Sequence, residues 1–255
     1  MNSTAVRSLL VRGMLAGLAA GVLALIVAYL MGEPHIDAAI AFEEAHAHEH
    51  GEVELVSRAM QSTAGLATGV LLYGVSLGGF GALAFCFALG RVGRFGARAT
   101  AALLSGAALL AVYVVPFLKY PANPPSVGDP ETIGKRTTLY FLMMALSILL
   151  AVAAVIVGKR LAPRLGTWYA TVATAAGFAL AVGLAYVFLP AINEVPEDFP
   201  ATLLWQFRLS ALAIQVTLWV SFGLLFGHLA ERVLSPKPAP AVERTAAPEA
   251  AAPAV

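Results

Sequence analysis

The sequence predicts an all-α, polytopic transmembrane helical bundle of about six spans, on three observations. Of its 255 residues 59% are hydrophobic and only 12% are charged. Soluble domains carry about 25% charged residues. The mean hydropathy is +0.80. Six separate segments approach the roughly 20 apolar residues that a membrane-crossing helix needs. The net charge of +1 gives no global field for nucleic acid. Cys86 is the sole cysteine, so neither a disulfide framework nor a Cys-based zinc site forms within one chain.

The first segment, about Leu9–Met31, follows Arg7 and Arg12 and lacks an A-x-A cleavage site, so it reads as a retained helix and not a leader. The others are about Ala64–Gly90, Ala99–Leu118, Leu139–Val157, Trp168–Leu189 and Phe207–Ala230. The fourth is the shortest. The sixth is the most polar, carrying Arg208 and Gln215, so a five-span count stays open. Gly13, Gly17 and Gly21 form a small-residue stripe at spacing four, repeated at Gly65/Gly69, Gly74/Gly78 and Gly223/Gly227. Such stripes let helix backbones approach closely, here within one bundle.

Orientation follows from the short flanks. Eleven of the sixteen Lys and Arg residues, including Arg7, Arg12, Arg91, Arg94, Arg98, Lys159, Arg160 and Arg164, fall on one side of the six-span arrangement. Both termini are therefore expected in the cytoplasm of a bacterial inner membrane. Twelve of the fifteen acids fall on the opposite, outer side and attract cations there. Three outer loops result: 32–63, Lys119–Thr138 with its prolines, and Pro190–Pro200. The bundle occupies 1–234, and the Pro/Ala-rich stretch 235–255 reads as a disordered cytoplasmic tail. Arg208 is expected to pair with Glu194, Glu197 or Asp198.

The first outer loop carries the chemistry. Four of the five histidines lie between positions 35 and 50. His46, His48 and His50 alternate strictly, next to Glu43 and Glu44, with His35 and Asp37 just past the first span. On a helix, His46 and His50 share a face with Glu43; in a strand all three histidines share one. Either geometry places two imidazoles on one divalent ion. Imidazole suits Co, Ni, Zn and Cu, and carboxylates widen the range toward Mn or Mg. The competing reading is a solvated loop that binds metal incidentally. His228, near the inner end of the last span, is a further candidate because ionisable groups at membrane depth tend to be functional. No P-loop, H-E-x-x-H or G-x-S-x-G pattern occurs, so the chain reads as a non-enzyme with no permanent cofactor.

The blocks GEPHIDAAIAFEEAHAHEH, SRAMQSTAGLATGVLLYGVSLGG and PFLKYPANPPSVGDPETIGKRTTLY resemble the CbtA family of probable cobalt transporter subunits, and the likeness covers nearly the whole chain before about Leu234. The resemblance implies Co²⁺ uptake serving cobalamin biosynthesis, and a small single-span CbtB partner with a histidine-rich end. It also implies five spans, where hydropathy gives six. Ni²⁺ and Zn²⁺ are alternative cargoes. A non-transporting metal-binding accessory or sensor, or a small-molecule exporter, are the alternative classes.

Overall fold

The computed structural model describes residues 2–46, 56–125, 127–128 and 131–235. It is 85% helical, with no strand among the described residues. Five helical runs are long and apolar enough to cross a membrane.

The first run is α1 (Ser3–Val27), a π-helical turn (Ala28–Gly32) and α2 (Glu33–His46), all in one continuous rod. Asn2 caps its start, its side chain accepting from the Ala5 N–H at 3.0 Å. The second is α3 (Arg58–Met60), a π-helical turn (Gln61–Gly65) and α4 (Leu66–Ala88). The third is α5 (Ala97–Ala108), a π-helical turn (Leu109–Val114) and α6 (Val115–Lys119). The last two are α7 (Ile133–Phe188) and α8 (Ala201–Leu234).

The 56 residues of α7 would measure about 84 Å if straight, nearly three bilayer cores. They do not run straight. Gly166 has φ 77° and ψ 158°, conformations open to glycine and strained for other residues. The chain folds back there into two antiparallel arms. A Cβ on Gly158 would lie 3.3 Å from the Thr174 hydroxyl, and Met143 clusters with Val182. The two predicted spans, about Leu139–Val157 and Trp168–Leu189, are the arms of this hairpin.

Pro34 marks where a helix runs further than the sequence reading allows. Proline lacks an N–H and its ring clashes with the carbonyl four residues back. Pro34 and Pro116 each follow a π-helical turn, whose wider i→i+5 bonding carries the helix past the proline. The segment read as loop 32–63 is consequently helical over Glu33–His46 and again from Arg58.

The main core joins α1, α4, α5 and α8 around Leu9, Ala20, Leu77, Phe85, Leu218, Phe222 and Phe226. α1 and α4 meet at glycines. A Cβ at Gly17 would collide with the Gly74 carbonyl oxygen, and one at Gly78 with the Gly13 carbonyl oxygen. The stripe Gly13/Gly17 against Gly74/Gly78 is thus an internal seam of one bundle. Gly223 and Gly227 bring α8 close to α5 as well, though less tightly, against Ser105 and Arg98. The α7 hairpin packs on the stretch from Leu109 to Tyr120. In this apolar setting hydroxyls tie the helices to neighbouring carbonyls. Ser105 Oγ donates to Trp219 O at 2.5 Å, and Ser147 Oγ donates to Ala111 O.

Candidate functional site

α2 rises about 21 Å beyond the π-helical turn of the first run and places two faces differently. One face carries Ala39 and Phe42. Ala39 is fully buried with Val127 and Phe199, and the Phe42 ring meets Phe199 edge-on at 5.1 Å. This clamps α2 onto the loops Lys119–Thr138 and Pro190–Pro200. The other face carries Glu33 and Asp37, one turn apart and so neighbours on the helix surface. Arg58, entering from α3, grips both: its Nη2 pairs with Glu33 Oε2 and lies 2.9 Å from Asp37 Oδ1. Glu33 is 7% exposed, and the guanidinium supplies the charge that makes its burial tolerable.

Of the residues the sequence singled out, Asp37 is therefore engaged by Arg58. Glu43 and Glu44 are exposed on the last turns of α2. His35 is partly buried two residues from Asp37, which turns it about 160° away around the helix. His46 ends α2. His48 and His50 lie outside the described residues, as does the tail from 236 onward. Among the described residues no three His, Cys, Asp or Glu side chains are grouped to enclose a metal ion. His228 is exposed, four residues from the exposed Leu224 on the outward side of α8.

The loops Lys119–Thr138 and Pro190–Pro200 are cross-tied. Arg136 pairs with Glu194, whose side chain is 3% exposed and also accepts from the Thr132 hydroxyl. Arg208 does not meet the acids expected for it. Its Nε donates to Ala122 O at 3.3 Å and its Nη2 to Asn123 Oδ1 at 2.9 Å, because the KYPANPP loop folds over the start of α8. Burial lowers the pull of solvent on these pairs, so the cap over the bundle is held by charge-assisted hydrogen bonds.

Below this cap two of the π-helical turns, Ala28–Gly32 and Leu109–Val114, pack against α8. Ser210, 2% exposed, donates to Met31 O at 2.8 Å and so ties α8 to the first turn. A Cβ on Gly32 would touch Ile214. Between α4 and α8 the helices part, and a cavity of about 230 Å³ opens, lined by Ala24, Gly65, Gly69, Tyr73, Ile214 and Gln215. Gly69 has nothing within 4 Å of where a Cβ would stand. The stripe Gly65/Gly69 therefore lines a space instead of a helix contact. Gln215 lines this cavity beside Tyr73. Its Oε1 is buried with no partner, a costly state in an apolar surround. Ser62 and Thr63 face a different cleft, with Tyr29 and Leu30. Toward the other end the seam closes on aromatic rings: Phe222 would lie 2.6 Å from a Cβ on Gly81, and Phe226 stacks on Phe222 at 5.3 Å and meets Phe85 edge-on at 5.1 Å.

Glu33 and Tyr73 are the contributors that the sequence reading passed over. The signal was present: Glu33 and Asp37 are spaced i, i+4, and Tyr73 continues the Gly65/Gly69 stripe at the same spacing.

These elements define an all-α, multi-pass membrane bundle with a charged helical arm at one end. The chain belongs to the CbtA family, described as a probable cobalt transporter subunit, whose family model matches residues 6–231. No curated protein and no solved structure matches it.

Proposed function

We propose that this chain is the membrane subunit that takes up Co²⁺ across the bacterial inner membrane for cobalamin biosynthesis. The α2 arm and the segment after it capture the ion outside. Membership of the CbtA family supports the cargo. The observation that carries the mechanism is the rigid rod Ser3–His46, which continues a membrane helix into a charged arm leading to the histidine triplet. His46, His48 and His50, with Glu43 and Glu44, form the capture set; His35 and Asp37 flank it, and Ni²⁺ and Zn²⁺ are competitors for it. A small single-span CbtB-like subunit is the partner.

The route inward follows the seam between α4 and α8. Tyr73 and the unpartnered Gln215 oxygen offer polar contacts at the cavity, in place of part of the ion's hydration shell. The Phe222–Phe226–Phe85 layer closes the seam beyond it. His228 stands past that layer, on the side where the ion would leave. An inside-negative potential favours entry of a divalent cation by about 4.6 kcal/mol per 100 mV, twice the single-charge value, so uptake needs no bound nucleotide.

That closed layer is also what a non-transporting metal-binding accessory or sensor would show, and uptake measurements separate the two. Replacing His46, His48 and His50 together by Ala should lower uptake of scarce Co²⁺ and matter less when Co²⁺ is abundant. Neutral imidazole is the ligand form, so capture should also weaken as pH falls below about 6.5. Unchanged uptake of scarce Co²⁺ in the triple variant leaves the arm as a solvated segment.

A further inference from the structure

One wide cavity among the described residues has no place in the ion route. It holds about 720 Å³ between the 92–95 turn, α5 and both arms of the α7 hairpin. Its walls are small and mostly apolar: Ala151, Ala154 and Gly158 on one arm, Ala170, Thr174 and Ala175 on the other. The threonines spend their hydroxyls on their own helix, Thr174 Oγ1 donating to Ala170 O at 2.8 Å and Thr171 Oγ1 to Thr167 O at 2.8 Å. The space asks for an apolar occupant.

Its depth says which kind. Along the second arm the lining runs from Thr167 to Phe178, about 16 Å at 1.5 Å per residue. That is about half of a 30 Å hydrocarbon core, one leaflet deep. Beyond Phe178 the hairpin closes on the third run through Met143, Val182 and Val115, and Ser147 is bonded to Ala111 O. A spanning helix would need the full thickness, and the cleft stops at the middle.

Its mouth says which headgroup. Arg94 and Lys159 line the open end, and no carboxylate lines any part of it. Lys159 Nζ donates to Arg91 O at 2.5 Å, which uses one of three donors and fixes the ammonium beside the turn. Among the described residues the acid on this side of the bundle, Glu231, is spent on Arg98 at 2.5 Å. Basic pockets between membrane helices on the cytoplasmic side suit anionic lipid headgroups.

We propose that this cleft is a binding site for an anionic phospholipid of the cytoplasmic leaflet, its phosphate held by Arg94 and Lys159 and its acyl chains lying between the arms of the hairpin. The assignment of the leaflet rests on the orientation proposed from the basic flanks; the affinity for the lipid does not. The occupied cleft braces the hairpin, which otherwise packs on the bundle through the stretch from Leu109 to Tyr120.

The test uses the full chain purified in detergent and offered equal amounts of phosphatidylglycerol and phosphatidylcholine with identical acyl chains. Native mass spectrometry reads what stays bound. The intact chain should retain phosphatidylglycerol on the order of tenfold over phosphatidylcholine. Arg94→Gln with Lys159→Gln should bring the ratio close to one while the elution volume stays that of a folded chain. Ala154→Trp, which fills the cleft, should lower retention of both lipids. Equal retention of the two lipids by the intact chain, or an unchanged ratio in the charge variant, overturns the proposal. So does a disulfide-linked dimer through Ala154→Cys in a Cys86→Ser background, which would give the cleft to a second copy. None of these readouts involves Co²⁺ uptake, so the failure of one proposal leaves the other standing.

Discussion

At the scale of single residues, the outer arm depends on Arg58. It neutralises Glu33, which α2 has carried into a nearly closed position, and it reaches Asp37 one turn above. Removing the guanidinium leaves Glu33 a poorly solvated charge. Arg58→Ala should therefore destabilise the arm by about 1–3 kcal/mol, the cost of orphaning a buried group. Adding Glu33→Gln should recover part of the loss. Limited proteolysis between α2 and α3 reads this directly; equal cleavage rates in Arg58→Ala and the intact chain would remove the clamp from the account. Gln215 makes a second residue-scale case. Gln215→Leu should keep the fold, since it removes a group with an unmet bond, and should lower maximal Co²⁺ uptake with little effect on metal binding at the arm. Full uptake in the folded variant would take Gln215 off the route.

At the scale of elements, glycine does two different jobs. Gly17 lets α1 touch the backbone of α4, and a methyl there meets a carbonyl oxygen instead of a yielding side chain. Gly17→Ala should cost about 1–3 kcal/mol, as overpacking does. Gly183, in the second arm of α7, has nothing within 4 Å of its Cβ position. Gly183→Ala should be neutral or stabilising, because it replaces the poorer helix former. Gly166→Ala should destabilise by about 1–3 kcal/mol through the backbone alone, since no neighbour stands within 4 Å and only φ 77° is at fault. Thermal unfolding of the three variants in one detergent checks the order. These elements were legible to different degrees. The apolar segments and the Gly13/Gly17 stripe follow from composition and spacing, which the bilayer enforces. The helical nature of Glu33–His46 was hidden, because Pro34 reads as a stop unless a π-helical turn precedes it. Arg208 was misassigned for a similar reason: its partner is a proline-rich loop whose path a sequence does not display, and nearby acids were the simpler expectation. The ends of α7 extend past the apolar windows, since hydropathy marks the membrane and not the helix.

At the scale of the whole molecule, the proposed function divides the work between capture at the α2 arm and passage along the α4–α8 seam, under loops cross-tied by Arg136–Glu194 and Arg208–Asn123. The family and the all-α membrane fold were legible from sequence blocks and hydropathy. Of the candidate site, the charged run from Glu33 to Glu44 was legible as polar sequence, while the histidine set stays untested because His48 and His50 lie outside the described residues. The orientation predicts that reporter fusions at Arg94 and Lys159 read as cytoplasmic, and those at His48 and Glu194 as periplasmic. A periplasmic C-terminus would contradict the six-arm arrangement. The most direct measurement of the central claim is radiolabelled Co²⁺ uptake into sealed vesicles with and without this chain, with the CbtB-like subunit present in both. The account predicts chain-dependent accumulation that grows with an imposed inside-negative potential and falls in the triple-histidine variant when Co²⁺ is scarce. Equal accumulation with and without the chain, at an arm that still binds the metal, would contradict transport and leave a membrane protein that only holds the ion.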